Sequence, residues 1–165
     1  MKYALFALLG LLTLPLPAVA AGCYGAAEQE ASQLVRLHSQ LMVITLSCRT
    51  TDTGEPLPPA YQKFTQTHLQ AIKDAERRLM LWHKGGTGKL DRIRTDFSNE
   101  YSRELARMSP KGYCDAYRNY VVTASGFSQP QLGQELQKMA AGYSAKVKAC
   151  AAKPAPKTSI KQAAK

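Results

Sequence analysis

Four cysteines are the residues of this 165-residue chain whose chemistry is most readily specified. They are Cys23, Cys48, Cys114 and Cys150, and no two of them have the Cys-x-x-Cys spacing that is typical of zinc sites. In an exported chain, four cysteines predict two disulfides, for which three pairings exist. We therefore predict disulfides and no metal site, and no haem-attachment or other cofactor motif is present in the sequence.

Helix geometry removes one of the three pairings. Residues 26–48 have a continuous helical pattern, and such a helix is about 33 Å long, whereas bridged alpha carbons lie within about 7 Å of each other. Cys23 therefore cannot bond Cys48, which also removes Cys114 with Cys150. Two pairings stay open: Cys23–Cys150 with Cys48–Cys114, and Cys23–Cys114 with Cys48–Cys150. The first is favoured, because Cys48 ends one predicted helix and Cys114 begins another, so a corner could join them.

Histidines and carboxylates are the candidates for acid–base chemistry. His68 lies on the apolar face of a predicted helix, where a base would be sheltered from water, although a core histidine bonded to a polar neighbour is more common at such a position. Glu76 and Glu100 are the carboxylates that would accompany it in a hydrolytic or glycan-cleaving site. Residues 84–89 look like a phosphate-binding loop but lack its first glycine and its final serine or threonine. The lack of a complete catalytic motif thus favours a protein that is not an enzyme.

Basic side chains form the second candidate site. The chain has 22 lysines and arginines against 12 acidic residues, a formal net charge of +10. Seven of these basic residues form a candidate binding patch: Lys73, Arg77, Arg78, Arg92, Arg94, Arg103 and Arg107. Such a patch would attract an anionic envelope component or an acidic protein, and the alternative is a solvated face that serves solubility alone. Nucleic acid is not a predicted partner, because export would separate the protein from it.

Both ends of the chain have the composition of segments that lie outside the folded domain. Residues 1–20 predict a signal peptide, with Lys2, an apolar run over 5–16 and the small residues of 18–20 before the cleavage point. The apolar run is too short to span a bilayer, so no transmembrane segment is predicted. Residues 153–165 contain four lysines and no acid, which predicts a disordered basic tail. The helical domain would occupy residues 21–152, exported to the periplasm or secreted.

Cys23 supports an alternative prediction for the amino terminus. The sequence Ala20-Ala21-Gly22-Cys23 is similar to a lipoprotein box without its usual leucine, in which the cysteine would be acylated and would anchor the protein in a membrane. Cleavage after Ala20 is favoured, because the small residues before it suit signal peptidase better.

Helical periodicity between these ends predicts an all-α, single-domain bundle of about five helices with two disulfides. Apolar residues of the first helix, at positions 34, 37, 41, 44 and 48, have a 3-4-3-4 spacing, and further apolar residues widen this stripe enough to place the helix at the centre of the bundle. Prolines and glycines separate it from four more helices, predicted over about 58–82, 87–108, 110–125 and 128–150.

One segment also resembles a known group of proteins. Its motifs are Tyr61-x-x-Phe64-x-x-x-His68, then Ala75-Glu76-x-x-Leu79, then Leu90-Asp91-Arg92 with a later Asn99. They resemble those of small exported (periplasmic) all-helical bacterial proteins to which no activity is assigned. The resemblance implies export and a helical fold. The basic charge and the lack of catalytic motifs predict a non-enzymatic envelope or periplasmic interaction protein, the alternative being a periplasmic enzyme or an immunity-type inhibitor of an enzyme or toxin.

Overall fold

The computed structural model of the protein describes residues 22–142 and 148–150. In these residues six α-helices follow one another along the chain: α1 (Ala26–Cys48), α2 (Pro58–Thr67), α3 (Leu69–His83), α4 (Gly86–Arg107), α5 (Pro110–Ser125) and α6 (Gln129–Gly142). The all-α prediction is confirmed, with six helices in the described part instead of about five. The predicted signal peptide and the predicted basic tail lie outside the described residues.

The long first helix is the central element. α1 packs against all five other helices, and the 0% exposed Leu37, Leu41 and Ile44 lie at the middle of the core. The apolar residues of this 23-residue helix are spread over most of its circumference, so it buries them only when other helices cover it on most sides. The central position that the sequence predicts for this helix is therefore the one it occupies.

The predicted second helix is wrong as a single element, because the backbone breaks at His68. α2 ends at Thr67, α3 begins at Leu69, and His68 between them has a non-helical φ of −108° and ψ of 14°. The hydrogen bonds from His68 N–H to Phe64 O and from Ile72 N–H to His68 O continue across the break. The break lets α2 pack against α5 while α3 packs along α1 and α4. No proline or glycine occurs at the break. We attribute the break to the change of packing partner between α2 and α3.

A short connector links α3 to α4. Lys84 has a left-handed backbone with φ 50°, and Gly86, with φ 58°, already begins α4. α4 thus begins slightly before the predicted start at residue 87. Because so few residues join them, α3 and α4 form a hairpin whose helices pack against each other. The segment that looks like a phosphate-binding loop is this connector and the first turn of α4.

The end of the predicted fifth helix is corrected in the same way. Residues 148–150 are not helical, because they lie beside Tyr24: the Tyr24 N–H donates to Lys148 O at 2.9 Å and the Cys150 N–H donates to Tyr24 O at 2.8 Å. Residues 143–147, which the prediction also included, lie outside the described residues.

Two disulfides close the fold. Cys23 is bonded to Cys150 with alpha carbons 5.0 Å apart, and Cys48 to Cys114 with alpha carbons 5.4 Å apart. This is the pairing that the corner between the end of the first helix and the start of α5 favours. The first disulfide holds residue 150 beside the start of α1, and the second joins the far end of α1 to α5.

Candidate functional site

The structure places the predicted basic patch on the α3–α4 hairpin. Three of its members are tied to carboxylates: Arg77 to Asp74 at 3.4 Å, Arg78 to Glu28 at 3.4 Å, and Arg94 to Glu76 in a close ion pair. The other four are exposed and form no ion pair with the described residues: Lys73, Arg92, Arg103 and Arg107. The patch is therefore a mixture of paired and unpaired cations, not a uniform basic face.

A surface cleft of about 440 Å³ lies within this patch, between α1 and α3. We call it the arginine–tryptophan cleft, and its lining residues are Glu28, Asp74, Arg77, Arg78, Leu81 and Trp82. Leu81 is 73% exposed, the most exposed of the large apolar side chains in the described residues. Trp82 is held in place, because its ring packs edge to face on the buried Tyr24 with the centroids 4.7 Å apart. An apolar side chain that faces water thus lies next to a fixed aromatic ring.

The two arginines of this cleft are weakly held. Both ion pairs are long at 3.4 Å, and the Arg77 and Arg78 side chains are more than half exposed to water. Exposed pairs of this kind contribute on the order of 0.2–1 kcal/mol, since water screens them and the long side chains lose freedom. Either arginine can therefore exchange its own carboxylate for that of a partner at little cost.

His68, the predicted candidate base, is a core residue. It is 1% exposed and its ring packs on Phe64, with the centroids 4.8 Å apart. Nδ1 lies 3.4 Å from Gln129 Nε2, and Nε2 has no hydrogen-bond partner among the described residues. Burial lowers the pKa of His68, which favours the neutral ring.

The carboxylates predicted to accompany His68 are bound elsewhere. Glu76 pairs with Arg94, and Glu100 pairs with the buried Arg36, whose guanidinium also lies 5.5 Å from the centre of the Tyr101 ring. No described contact joins either carboxylate to His68. In the described residues no group of three or more histidine, cysteine or acidic side chains is arranged to hold a metal ion.

A second histidine has the polar neighbourhood that sequence analysis did not find. His38 Nε2 lies 2.8 Å from the Tyr61 hydroxyl and 3.2 Å from Thr65 Oγ1, and its ring stacks on that of Tyr61. Burial, and secondarily the charge of Arg94, lower the pKa of His38 to about 4. A neutral imidazole beside two hydroxyls is the composition of a nucleophile and its base. However, none of the three surface depressions described for this protein is lined by these residues. The contacts of the cluster join α1 to α2.

Sequence analysis also missed Leu81. The residue lies next to the apolar stripe of its helix but does not belong to it. A leucine outside the stripe and close to arginines was the sequence feature that could have indicated an exposed apolar residue. Within the described part of the chain, no helix has both the length and the apolar character needed to cross a bilayer. Comparison of the chain with protein-family models, with curated proteins and with solved structures finds no match.

Proposed function

We propose that this protein is an exported, non-enzymatic interaction protein that binds an acidic protein partner through the arginine–tryptophan cleft. The observation that carries the proposal is the 73% exposed Leu81, which lines the same cleft as Trp82 and the two loosely paired arginines. Tryptophan and arginine are enriched among the residues that dominate binding energy in protein interfaces, and an exposed leucine beside them supplies apolar area to bury.

The charge of the surrounding hairpin supports an acidic partner. Lys73 and Arg92 have no ion pair in the described part of the chain, so their charges are free to act over the Debye length of about 8 Å at physiological ionic strength. Such a field speeds the approach of an acidic surface, while the cleft with its apolar residues provides specificity. This combination favours a protein over a simple polyanion, which would use the charge and leave Leu81 exposed.

Two further observations support export and a non-enzymatic role. The protein has two disulfides, which are typical of proteins in oxidising compartments. The predicted signal peptide would direct the protein to such a compartment. His68 is packed in the core and its predicted carboxylates are bound to arginines. A protein that inhibits a periplasmic enzyme or toxin would use the same cleft. Identification of the partner distinguishes that role from binding to an envelope component.

The test is site-specific photo-crosslinking in the exporting cell. A photoreactive amino acid at position 81 is compared with one at position 122, because Val122 is also an exposed apolar residue but lies on α5. We expect a discrete protein adduct from position 81 that position 122 does not form. The paired substitutions Arg77→Glu and Arg78→Glu should abolish that adduct.

Matched charge reversals distinguish the cleft from the charge of the whole protein. Arg103→Glu with Arg107→Glu changes the net charge equally but leaves the cleft intact, so the adduct should persist, as it should after deletion of residues 153–165. The purified partner should bind at two salt concentrations more tightly than an unrelated polyanion. Equal binding of both, lost on tail deletion or at modest salt, would refute the proposal and leave non-specific charge as the explanation.

A further inference from the structure

Tyr24 connects one of the two disulfides to the arginine–tryptophan cleft. It follows Cys23 in the chain, it is 6% exposed, and its ring packs edge to face on Trp82 with the centroids 4.7 Å apart. The Tyr24 hydroxyl also lies 2.7 Å from His83 Nε2. One side chain that precedes α1 thus contacts two successive residues at the end of α3, and the first of them, Trp82, lines the cleft.

The main chain of Tyr24 is held by residues 148–150. The Tyr24 N–H donates to Lys148 O and the Cys150 N–H donates to Tyr24 O, in the manner of a pair of parallel strands. The Cys23–Cys150 disulfide joins the same two short segments. A main-chain hydrogen bond contributes little net stability, because it replaces a bond to water. The covalent bond is therefore the strongest of the contacts described between these segments.

Glu28 gives the cleft a second connection to the same part of the chain. It lies in the first turn of α1, lines the cleft and pairs with Arg78 at 3.4 Å. Residues 23–28 therefore contact both the tryptophan and one of the two arginines of the cleft. A shift of this short segment would displace both walls of the cleft together.

The other disulfide has no such connection. Cys48 and Cys114 join the carboxyl end of α1 to α5, and neither of them lines the cleft. Along α1, Cys48 lies about 30 Å from Glu28. The protein thus contains one disulfide beside the cleft and one far from it, which provides a matched pair for experiment.

We propose that the Cys23–Cys150 disulfide, acting through Tyr24, positions Trp82 for the partner, so that the arginine–tryptophan cleft binds only in the oxidised protein. This inference rests on the proposed function, because it concerns the control of the same cleft. An aromatic ring that is already fixed loses less freedom on binding than a mobile ring, and it therefore binds more tightly. In this arrangement Tyr24 is a positioning residue.

The covalent step is an ordinary thiol–disulfide exchange. The thiols of Cys23 and Cys150 are oxidised to the disulfide, and the disulfide of an oxidised dithiol is reduced, taking up the two electrons and the two protons that the cysteines give up. Because such oxidants act in oxidising compartments, the cleft is completed after export. Before export the protein does not bind its partner.

The first measurement needs no partner, because Trp82 is the single tryptophan of the chain. Quenching of its fluorescence by acrylamide is compared in the wild-type protein and in two double variants, Cys23→Ala with Cys150→Ala and Cys48→Ala with Cys114→Ala. We expect the quenching constant to rise about twofold in the first variant, in which Trp82 is freed locally, and to stay unchanged in the second. No rise in the first, or an equal rise in both, would overturn the inference.

The second measurement is the photo-crosslinked adduct from position 81 in the exporting cell, divided by the amount of each variant. Cys23→Ala with Cys150→Ala should reduce this adduct about fivefold or more, as expected when a tryptophan at the centre of a binding site is no longer fixed. Cys48→Ala with Cys114→Ala should retain it. Since each double variant lacks one disulfide, a general loss of stability would weaken both. The helical circular-dichroism spectrum of each variant confirms that it folds.

Two substitutions of Tyr24 test the same connection with both disulfides in place. Tyr24→Leu removes the aromatic contact with Trp82 and should reduce the adduct as strongly as loss of the Cys23–Cys150 bond. Tyr24→Phe keeps the ring and loses only the hydroxyl near His83, so it should restore most of the adduct. A Tyr24→Leu protein that forms as much adduct as the wild type would contradict the role of Tyr24.

The outcomes separate this inference from the proposed function. If the wild-type protein forms no adduct from position 81, the proposed function fails and the inference fails with it. If the wild type forms the adduct, and the variant without the Cys23–Cys150 bond forms as much, the cleft is used but does not depend on this disulfide. The proposed function then stands and the inference alone is overturned.

Discussion

Three histidines of this basic protein are held neutral by their surroundings. Burial is the leading cause of the lowered pKa of His38, His68 and His83, and nearby cations add to it at His38 and His83. His83 Nε2 also lies 2.7 Å from the Tyr24 hydroxyl, next to the disulfide of Cys23. The histidines therefore take part in the packing of the fold as neutral polar groups.

The prediction at the residue scale concerns the stability of the fold in acid. The pKa of His38 is about 4 in the folded protein against 6.5 in the unfolded chain, so between these pH values the unfolded chain binds a proton that the folded one does not. The free energy of unfolding should therefore decrease as the pH falls from about 6.5 to about 4, with His38 contributing roughly 3 kcal/mol of the loss.

Urea denaturation of the wild-type protein and of His38→Gln at pH 7, 5.5 and 4 measures this contribution. Glutamine retains a polar group toward Tyr61 and Thr65 but does not titrate, so the variant should show the flatter dependence on pH. Carboxylates also titrate in this range, but they are common to both proteins and cancel in the comparison. Parallel curves for the two proteins would contradict the prediction.

The environment of His38 also shows why such residues escape sequence analysis. Its two hydroxyl partners lie 23 and 27 positions further along the chain, on a different helix. Periodicity places His38 beside the apolar stripe of α1 but does not specify which face of α2 meets it. The cluster depends on how two helices pack, which no local pattern encodes.

At the scale of the element, the boundaries with explicit capping chemistry were predicted well. Ser109 Oγ accepts a hydrogen bond from Gly112 N–H at 3.1 Å, and Pro110 occupies the first turn of α5, as the sequence predicts. The break at His68 was not predicted, since no capping or turn residue marks it. Local chemistry determines the first boundary, while packing determines the second.

Removal of the Ser109 cap tests this account. Ser109→Ala leaves a helix N–H group without its acceptor and should lower the free energy of unfolding by about 1 kcal/mol. Ser102→Ala, on the exposed surface of α4, is the matched control and should change it by less than about 0.5 kcal/mol. Urea denaturation at pH 7 measures both variants. An equal effect of the two substitutions would show that Ser109 does not act as a cap.

At the scale of the molecule, polar contacts join α4 to α5, α5 to α6 and α1 to α4. Tyr117 donates to Glu104 at 2.6 Å, Tyr120 donates to Glu135 at 2.7 Å, and the buried Arg36 of α1 pairs with Glu100. Burial and the neighbouring carboxylate raise the pKa of Tyr120, which keeps its hydroxyl protonated as a donor. The disulfides differ from these contacts, because a covalent bond also restricts the unfolded chain.

The whole-molecule prediction concerns Cys48 and Cys114. Replacing both by alanine opens a bond between positions 66 residues apart, which should lower the free energy of unfolding by about 4 kcal/mol. Urea denaturation of the double variant, compared with the wild-type protein with both disulfides intact, gives the value. A loss below about 1 kcal/mol would indicate that the helices alone hold this corner.

Intact-mass measurement of the protein expressed from its full sequence tests the predicted processing. It should show residues 1–20 removed and both disulfides formed. A sulfur in the Cys23–Cys150 disulfide cannot also carry a diacylglyceryl group, so the lipoprotein alternative predicts a heavier protein in which Cys150 lacks this partner.

The sequence by itself determined the helical class, the central position of α1 and the Ser109 boundary. It also reduced the possible disulfide pairings from three to two. These follow from periodicity, capping and helix length, which are properties of neighbouring residues. Only the tertiary structure decided the break at His68, the pairing of Glu76 and Glu100 with arginines, and the exposure of Leu81. Each depends on which helix faces which, and that is determined by the packing of the whole chain around α1.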